Sequence, residues 1–358
     1  MTRKEFVDMV KTDIPDISGI ELWIWGTGNT AELYQEGLER LKSDGLFISG
    51  YCDNNSDKWG MPFHNYPIIS PDELAKKANI LVLICTPNPD IIKTISKQLR
   101  GLNLEYRLLD ELIIKLHSDD FISCYDAFYD DESKEVYSHL CKCKIEGKNP
   151  DFKYYKNDQY FSISKFCYKT PKEVFVDCGA YVGDSIESYI YKKAGVFGKI
   201  ISFEPDLTNV KSMETRVERL CKEWNIDRDK IEIYPFGVSD KSENMYISRY
   251  SINNGFGSKL VESNDSEDVC KVISLDDFFD YDISFLKADI ESYEYKMLIG
   301  AEKLIKKCKP LCAISFYHNI VDFYQIPLLL KKFVPNYKLA VRHHSPELDD
   351  TIVYAWID

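Results

Sequence analysis

The chain has 358 residues, of which 44% are hydrophobic and 29% charged, so it has the composition of a globular protein and the length of two domains. The formal net charge of −13 disfavours a nucleic-acid substrate, because an acidic surface repels phosphate backbones and no basic run is interleaved with aromatics. No stretch reaches the ~20 apolar residues that span a bilayer and no signal-peptide segment is present, so we predict a cytoplasmic protein.

The eleven cysteines do not form a disulfide or zinc pattern. Their number is odd and their spacing irregular, and the close pair Cys141 and Cys143 lacks a second pair to complete a tetrahedral site. Cys178 and Cys312 lie in apolar runs, where cysteine behaves as a small core residue. We therefore expect free thiols, which fit a reducing compartment, and no structural metal.

Residues 1–115 are predicted to form a small Rossmann-like α/β lobe. The strand Glu21–Trp25 runs into a glycine-containing loop and then a helical segment. Farther along, Ile80–Cys85 is a continuous apolar run, which is typical of a strand buried on both faces. Because strands and helices alternate, we expect a small parallel sheet with helices on its faces.

A ligand site in this lobe is predicted at Gly26 and Gly28. With Ala31 they match the Gly/Ala variant of the dinucleotide fingerprint, and Asp53 stands near the ribose-binding position at the end of the next strand. Three interpretations stay open. The lobe holds a nucleotide or nucleotide-sugar, it serves docking or dimerisation and so allows a homo-oligomer, or it is an active oxidoreductase. The last lacks an acid–base partner for hydride transfer.

Residues 116–171 are predicted to be a helical connector, because acids, aromatics and helix formers dominate there. Residues 172–358 form a second α/β unit, which begins with a strand at Glu173–Val176. Its last two strands, Tyr337–Arg342 and Thr351–Trp356, are separated only by a loop, so they can pair antiparallel. The expected sheet is therefore mostly parallel and ends in an antiparallel strand.

The second unit has its own glycine loop, where its first strand ends. Gly179 and Gly183 allow the backbone to approach a ligand closely, and Asp177 brings a carboxylate near the ammonium of that ligand. Asp184 and Ser185 can cap the helix that follows. A plain strand–turn–helix junction would look the same, so the loop alone is weak support for a site.

An acidic residue after the next strand strengthens this prediction. Glu204 and Pro205 follow that strand, about 20–25 residues beyond the glycine loop, at the position where a carboxylate binds a ribose diol. Each charge-assisted hydrogen bond to a hydroxyl is worth about 1.5–3 kcal/mol. Pro205 stiffens the turn. Loop and acid together favour a nucleoside-type ligand.

Two later strands end in further polar residues. The strand Ile283–Ala288 is followed by Asp289 and Glu291, and the strand Leu311–Phe316 is followed by His318. Because the carboxyl ends of neighbouring parallel strands meet at one edge of a sheet, we expect these three side chains on the same rim. Lys287 is expected to pair with a nearby acid rather than to act in chemistry.

Residues 173–358 resemble the FkbM-type methyltransferases. The matching segments follow the same order along the chain: Val176–Ala180, Phe203–Asp206, Leu275–Asp277, Leu286–Glu291, Leu298–Ala301, Lys309–Pro310 and Tyr317–His318. The resemblance implies a class I methyltransferase domain, S-adenosylmethionine as methyl donor, and usually O-methylation of sugars, glycans or polyketide-type acceptors. The chain departs from the family pattern at Ser292, where the family usually has glycine, and this weakens any inference about the acceptor.

Under this resemblance we assign nine residues to the cofactor: Asp177, Gly179, Ala180, Gly183, Asp184, Glu204, Pro205, Gly237 and Val238. Asp289, Glu291 and His318 are the catalytic candidates. An alcohol must lose its proton during methyl transfer, and His318 titrates near neutrality, so it suits the role of base, with Asp289 orienting it or contacting the acceptor. Two alternatives stay open. The three bind a divalent cation, or His318 only completes a strand end.

The predicted function is an O-methyltransferase acting on the hydroxyl of a sugar, glycan or nucleotide-linked sugar, in surface-polysaccharide assembly. One alternative is methylation of a small secondary metabolite. Another is a non-catalytic nucleotide-binding scaffold built from two degenerate Rossmann-like units. The intact set of Asp177, Gly179 and Glu204 speaks against the scaffold, because a decayed site is expected to have lost at least one of them.

Overall fold

The computed structural model describes residues 1–13, 16–252, 255–261 and 269–358. The N-terminal lobe contains one six-stranded sheet in the order β3-β4-β2-β1-β5-β6, parallel except at the β3–β4 pair. Its strands are β1 (Glu21–Trp25), β2 (Ile48–Cys52), β3 (Pro62–Phe63), β4 (Tyr66–Ile69), β5 (Ile80–Ile84) and β6 (Tyr106–Leu108). The expected small, mostly parallel sheet is confirmed.

Helices flank this sheet and begin where the sequence carries helix-start residues. The helix at Pro71 is capped by Ser70, whose hydroxyl accepts the Glu73 N–H while the Glu73 carboxylate accepts the Ser70 N–H. The helices of the lobe are α1 (Arg3–Lys11), α2 (Asn29–Leu33), α3 (Gln35–Ser43), α4 (Pro71–Leu74) and α5 (Pro89–Gly101).

The connector is helical only in its first part. After α6 (Leu109–Leu116), which lies at the end of the N-terminal lobe, it contains α7 (Ser118–Ala127) and α8 (Asp131–Glu146). Helix α8 ends at Gly147, which adopts a left-handed φ of 62° and caps the helix. Residues 147–171 form loops with two short 3₁₀ turns, at Phe152–Tyr154 and Ser164–Cys167, rather than the helix expected there.

The C-terminal unit contains two sheets and six α-helices among the residues that the structure describes. Its strands are β7 (Val174–Cys178), β8 (Lys199–Phe203), β9 (Ile231–Tyr234), β10 (Phe236–Val238), β11 (Glu243–Ile252), β12 (Gly255–Val261), β13 (Val269–Ile273), β14 (Phe285–Ala288), β15 (Leu311–Ser315), β16 (Lys338–His343) and β17 (Thr351–Trp356). Its helices are α9 (Asp184–Lys193), α10 (Leu207–Trp224), α11 (Leu275–Phe278), α12 (Glu294–Ile299), α13 (Glu302–Cys308) and α14 (Asp322–Phe333).

The main sheet has seven strands in the order β16-β17-β15-β14-β7-β8-β9. Strands β15, β14, β7, β8 and β9 are parallel, while β17 pairs antiparallel with both β15 and β16. This confirms the predicted antiparallel end of the sheet. The strand order reverses at β7, because β8 and β9 follow on one side of it and β14 and β15 lie on the other. Open α/β sheets bind ligands at such a point.

A second, four-stranded sheet in the order β10-β13-β11-β12 was not expected from the sequence. Its buried side chains Met245, Ile247 and Leu260 pack with Tyr293 and against Ile290, which belong to the segment after β14. The small sheet therefore supports one side of that segment.

One hydrophobic core runs through both units and the connector. It includes Leu83 of the N-terminal sheet, Tyr137 of α8, and Phe323 and Leu339 of the C-terminal unit. The Val341 N–H of β16 also donates to the Ser133 hydroxyl of α8 at 2.9 Å. All eleven cysteines are free thiols, as expected. None of the described helices is long and apolar enough to cross a bilayer.

Candidate active site

The predicted site residues meet at the carboxyl-terminal edge of the main sheet. The register places Asp177 opposite Lys287 on one side and Ser202 on the other, so that the ends of β7, β8 and β14 lie side by side. Strand β15 continues this edge through the pairing of Ala288 with Ile314. The glycine loop, Glu204, Asp289 and the segment after β15 thus share one rim.

The glycine loop is held tightly between two strand ends. The N–H groups of Gly179 and Ala180 donate to the Phe203 carbonyl at 3.0 and 3.1 Å. Gly179 has a φ of 75°, and a Cβ atom added there would lie 1.8 Å from the Asp289 carbonyl oxygen. Only glycine fits such a close approach, so the loop and the Asp289 backbone form one rigid unit.

Asp177 supports this loop from beneath. Its fully buried carboxylate lies 3.0 Å from Lys287 Nζ and accepts a 2.5 Å hydrogen bond from the Ser185 hydroxyl. Lys287 also donates to the Gly179 carbonyl at 2.7 Å. Burial raises the pKa of Asp177 and outweighs the opposing effect of Lys287 and Ser185. The expected pairing of Lys287 with an acid is confirmed, while contact between Asp177 and a ligand's ammonium stays a prediction.

The expected capping of α9 by Asp184 and Ser185 is wrong. Gly183 is the N-cap residue of that helix and makes no side-chain cap, while Asp184 is exposed at the first helical position. The Ser185 hydroxyl instead donates a hydrogen bond to the Asp177 carboxylate. A buried carboxylate competes successfully for this hydroxyl, because leaving the carboxylate unpaired would be costly.

Glu204 turns back from the end of β8 toward the glycine loop. Its carboxylate is 5% exposed and accepts the N–H groups of Tyr181 and Asp206, both at 3.0 Å, and the Asn209 amide at 3.2 Å. Burial raises its pKa, although these hydrogen bonds oppose the rise. Partly buried Pro205 follows it in the turn. Glu204 is thus fixed beside the loop in a defined orientation.

Gly237 and Val238 lie in β10, within the small sheet. Both are buried, and Val238 pairs with Ile273 of β13. A Cβ atom at Gly237 would meet Leu260 at 3.0 Å and Val272 at 3.1 Å, so this glycine allows close packing inside the small sheet. Their assignment to the cofactor stays a prediction.

The structure brings the three catalytic candidates together. His318 Nε2 lies 3.5 Å from Asp289 Oδ1 and 3.8 Å from Glu291 Oε2. The chain turns sharply between these acids and α12, because Glu291 and Ser292 both adopt left-handed backbone conformations, with φ of 56° and 77°. Ser292 therefore occupies a conformation that favours the glycine of the family pattern.

Three residues at this rim were missed by the sequence analysis. Fully buried Glu294 lies with Oε1 3.2 Å from His318 Nδ1, and the same oxygen accepts the Ile290 N–H at 2.7 Å. Tyr160 of the connector donates its hydroxyl to Asp289 Oδ2 at 2.6 Å, and the Tyr317 hydroxyl lies 3.5 Å from Asp289 Oδ1. The spacing of Glu294 after Glu291 is a weak signal. The sequence gives no signal for Tyr160, because Tyr160 is 129 positions away from Asp289, its hydrogen-bond partner.

The surrounding carboxylates hold a positive charge on His318. Burial alone would lower the pKa of this imidazole, but the charges of Glu294, Glu291 and Asp289 outweigh burial and raise the pKa to about 10. The ring is therefore protonated at neutral pH and needs to lose this proton before it can act as a base. The assignment of His318 as the catalytic base stays a prediction.

Comparison with known proteins identifies the C-terminal unit. Residues 177–337 match the methyltransferase FkbM domain. They form a methyltransferase FkbM domain. The resemblance noted from the strand-end motifs is thereby confirmed. No match was found among curated proteins.

Several solved structures are similar to this chain, to different degrees. Methyltransferase FkbM from Methylobacillus flagellatus KT has a TM-score of 0.58 and 20% sequence identity, over 99% of this chain and 98% of that chain. An rRNA methylase from Streptococcus thermophilus covers 57% of this chain and 99% of its own, at 11% identity and a TM-score of 0.35. A putative rRNA methylase from Clostridium thermocellum covers 53% and 89%, at 9% identity and a TM-score of 0.34. The first structure shows that the α/β fold extends over both units.

The N-terminal lobe contacts the methyltransferase domain close to its rim. The Asn319 amide, which follows His318, donates to Glu36 Oε2 of α3 and to Asp322 Oδ2, both at 2.6 Å. Burial and the neighbouring Glu36 and Glu294 raise the pKa of Asp322 well above its usual range. Helix α3 is thus tied by hydrogen bonds to the loop that carries His318.

The predicted ligand loop of the N-terminal lobe is brought next to Asp53, as its spacing suggested. Asp53 Oδ2 accepts the Thr27 N–H at 3.0 Å and the Thr27 hydroxyl at 2.6 Å, and Lys58 Nζ lies 3.3 Å away. Burial would raise the pKa of Asp53, but the hydrogen bonds from Thr27 and Asn55 hold it below its usual value. Asp53 therefore braces the Gly26–Gly28 loop, and the three interpretations of this lobe stay predictions.

Proposed function

We propose that the protein is an S-adenosylmethionine-dependent O-methyltransferase. The observation that carries the proposal is the position of Glu204, a buried carboxylate fixed 3.0 Å from the Tyr181 N–H of the glycine loop. A carboxylate in this place can accept a charge-assisted hydrogen bond from a ribose hydroxyl in addition to those from Tyr181, Asp206 and Asn209. We expect the rest of the nucleoside and its amino-acid tail to lie along the backbone of the glycine loop, and Asp177 holds that loop in shape.

The proposed acceptor is the hydroxyl of a sugar, a glycan or a nucleotide-linked sugar. Carboxylates accept hydrogen bonds from hydroxyls, and Asp289 and Glu291 bring two of them to the rim beside the glycine loop. The Glu291 side chain is 40% exposed, so it is open to an acceptor that enters from solvent. The free cysteines support a cytoplasmic location, in which nucleotide-linked sugars are at hand for polysaccharide assembly.

The proposed reaction transfers the methyl group in line from sulfonium sulfur to acceptor oxygen. The carbon–sulfur bonding electrons remain on sulfur, which leaves as neutral S-adenosylhomocysteine, and a new carbon–oxygen bond forms. Because His318 is protonated at neutral pH, the proposal moves the role of base from His318 to Asp289 or Glu291, and the acceptor proton passes to one of these carboxylates and then to water. Protonated His318 stabilises both carboxylates, and Tyr160 fixes Asp289 by its 2.6 Å hydrogen bond. Orientation of the two reactants supplies much of the rate enhancement.

The proposal is tested by incubating the full-length protein with methyl-labelled S-adenosylmethionine and a panel of nucleotide-linked sugars, oligosaccharides and phenolic or polyketide metabolites. We expect label on a hydroxyl of one carbohydrate acceptor, and loss of transfer in Asp289→Asn. Label on a metabolite instead would favour the second acceptor class. A protein that binds the donor but transfers no label to any acceptor would contradict the proposed enzyme activity and favour a binding scaffold.

A further inference from the structure

The rim contains a second arrangement of side chains, which shares Asp289 and His318 with the proposed methyl transfer. Asp289 after β14, Glu294 at the start of α12 and His318 after β15 each offer one oxygen or nitrogen, and these three atoms lie within 4.8 Å of one another. The set overlaps the catalytic candidates but replaces partly exposed Glu291 with fully buried Glu294.

Two buried groups in this set have unused binding capacity. Glu294 has no exposed surface, and its Oε2 has no hydrogen-bond partner among the described residues. The His318 side chain is 6% exposed, and within the same part of the chain neither ring nitrogen makes a well-formed hydrogen bond. Because buried polar atoms are nearly always satisfied, both groups point to a ligand that binds between them.

The negative charge at the site favours a bound cation. The carboxylates of Asp289 and Glu294 lie 3.5 and 3.2 Å from the His318 ring, and a single imidazolium balances only one of these two negative charges. No lysine or arginine in the described ranges forms an ion pair with Asp289 or Glu294. A buried carboxylate without a counter-charge is unfavourable, and a divalent cation would neutralise it.

We propose that Asp289, Glu294 and His318 bind a divalent cation of the Mn²⁺ or Zn²⁺ type. Two carboxylate oxygens and one neutral imidazole nitrogen are ligands that such ions accept, so the cation takes the place of the proton that His318 otherwise holds, and this proton is released to water. Three protein ligands leave positions open for other molecules. Tyr160 occupies Asp289 Oδ2 at 2.6 Å, which leaves Oδ1 to face the cation. Such outer hydrogen bonds commonly orient metal ligands.

The role of the cation rests on the proposed function. An open coordination position would bind the acceptor hydroxyl oxygen beside the donor and lower the pKa of that hydroxyl. The released proton then passes through Glu291, which is not a ligand, to water. The cation would also select acceptors that carry a second hydroxyl or carbonyl next to the methylated oxygen, because such groups bind one metal ion through two oxygens.

The test uses Mn²⁺ alone as the probe, titrated into the full-length protein and followed by the electron paramagnetic resonance signal of free Mn²⁺. We expect one Mn²⁺ per chain in the wild-type protein, and binding weakened about tenfold or more in Glu294→Gln and in Asp289→Asn. The matched control Glu291→Gln removes the same charge from the same rim, and we expect it to bind Mn²⁺ within a few-fold of wild type. Glu204→Gln is expected to bind Mn²⁺ normally.

Absence of Mn²⁺ binding by the wild-type protein, or equal binding by wild type, Glu294→Gln and Asp289→Asn, would overturn the cation site. Asp289, Glu291 and Glu294 lie outside the proposed donor site, so the S-adenosylmethionine affinity of their variants reports whether the fold is intact. Normal donor affinity with no Mn²⁺ binding would leave the proposed methyltransferase in place and remove only the cation. Mn²⁺ binding without donor binding would support the cation site and contradict the proposed methyltransferase.

Discussion

Gly179 lies directly against the backbone of Asp289, so that a Cβ atom at Gly179 would come within 1.8 Å of the Asp289 carbonyl oxygen. The loop assigned to the methyl donor and the rim assigned to the acceptor are therefore in backbone contact, and neither can shift without the other. In-line methyl transfer needs this kind of fixed geometry, because small displacements of the reacting atoms slow the reaction strongly.

Gly179→Ala is expected to destabilise the protein more than Gly195→Ala. Both glycines have left-handed φ values, 75° and 72°, so each alanine carries about 1 kcal/mol of backbone strain. At Gly195 the new Cβ would meet only Trp224, at 3.4 Å, whereas at Gly179 it displaces the Asp289 backbone, which adds about 1–3 kcal/mol. Denaturant unfolding measures both. Equal free energies of unfolding would show that the close approach is not required.

Ser292→Gly is expected to stabilise the protein by about 1 kcal/mol, because Ser292 has a φ of 77° that glycine adopts without strain. The matched control Ser212→Gly lies within helix α10, where glycine is expected to destabilise by about 0.5–1 kcal/mol. Thermal unfolding of both variants shows whether each substitution stabilises or destabilises the protein. A loss of stability in Ser292→Gly would mean that the serine side chain contributes more than its strained backbone removes.

Tyr160→Phe is expected to lower the turnover number about tenfold or more while leaving donor affinity within about twofold, because it removes a charge-assisted hydrogen bond from Asp289 and nothing from the glycine loop. Tyr189→Phe is the control, since it removes an equally short 2.6 Å hydrogen bond, from Tyr189 of α9 to Glu173, which precedes β7. Steady-state kinetics with the identified acceptor measures the turnover number of both variants. Equal turnover losses in both variants would reduce Tyr160 to a structural role.

Protonation of His343 and His344 is expected to cost stability as the pH falls from about 6.5 toward 4. Burial lowers the pKa values of His343 and His344 to about 4, and both are neutral in the folded protein. The unfolded chain binds protons at these groups from about pH 6.5, so the stabilisation is complete above that pH and is lost below it, by on the order of 3 kcal/mol for each histidine.

The pH dependence is measured as the free energy of unfolding between pH 7 and pH 4.5. His344→Gln is expected to flatten it, since glutamine can still donate to the Lys156 carbonyl, 2.8 Å from His344 Nδ1 in the wild type, but does not titrate in this range. His64→Gln, which changes a surface histidine, is expected to keep the wild-type slope. An unchanged slope in His344→Gln would contradict the account.

Local patterns made much of the fold predictable from the sequence. Apolar runs such as Ile80–Ile84 form buried central strands, and the short loop before Thr351–Trp356 produces the antiparallel end of the main sheet. The strand ends also predicted which acids share a rim, because parallel strands bring their carboxyl ends together. Asp289 and His318 therefore meet as expected, although they are 29 positions apart in the chain.

The features of the fold and site that could not be predicted depend on contacts between residues far apart in the sequence, which no local pattern encodes. The small sheet from β10 to β13 forms because its strands cover Tyr293, a partner distant in sequence. Tyr160 reaches Asp289 only after the loop 147–171 wraps back onto the domain. Glu294 looks like an ordinary helix-start acid, and its role becomes visible only through its burial beside His318.

The central claim, that the glycine loop and Glu204 bind S-adenosylmethionine, is tested most directly by calorimetric titration of that donor into wild type, Glu204→Gln and Glu232→Gln. The last variant changes a partly exposed acid on neighbouring β9, which pairs with Lys199 at 2.6 Å. We predict saturable one-to-one binding by wild type and Glu232→Gln, with affinity about tenfold or more weaker in Glu204→Gln. No binding by the wild-type protein, or equal affinity in Glu204→Gln, would contradict the account.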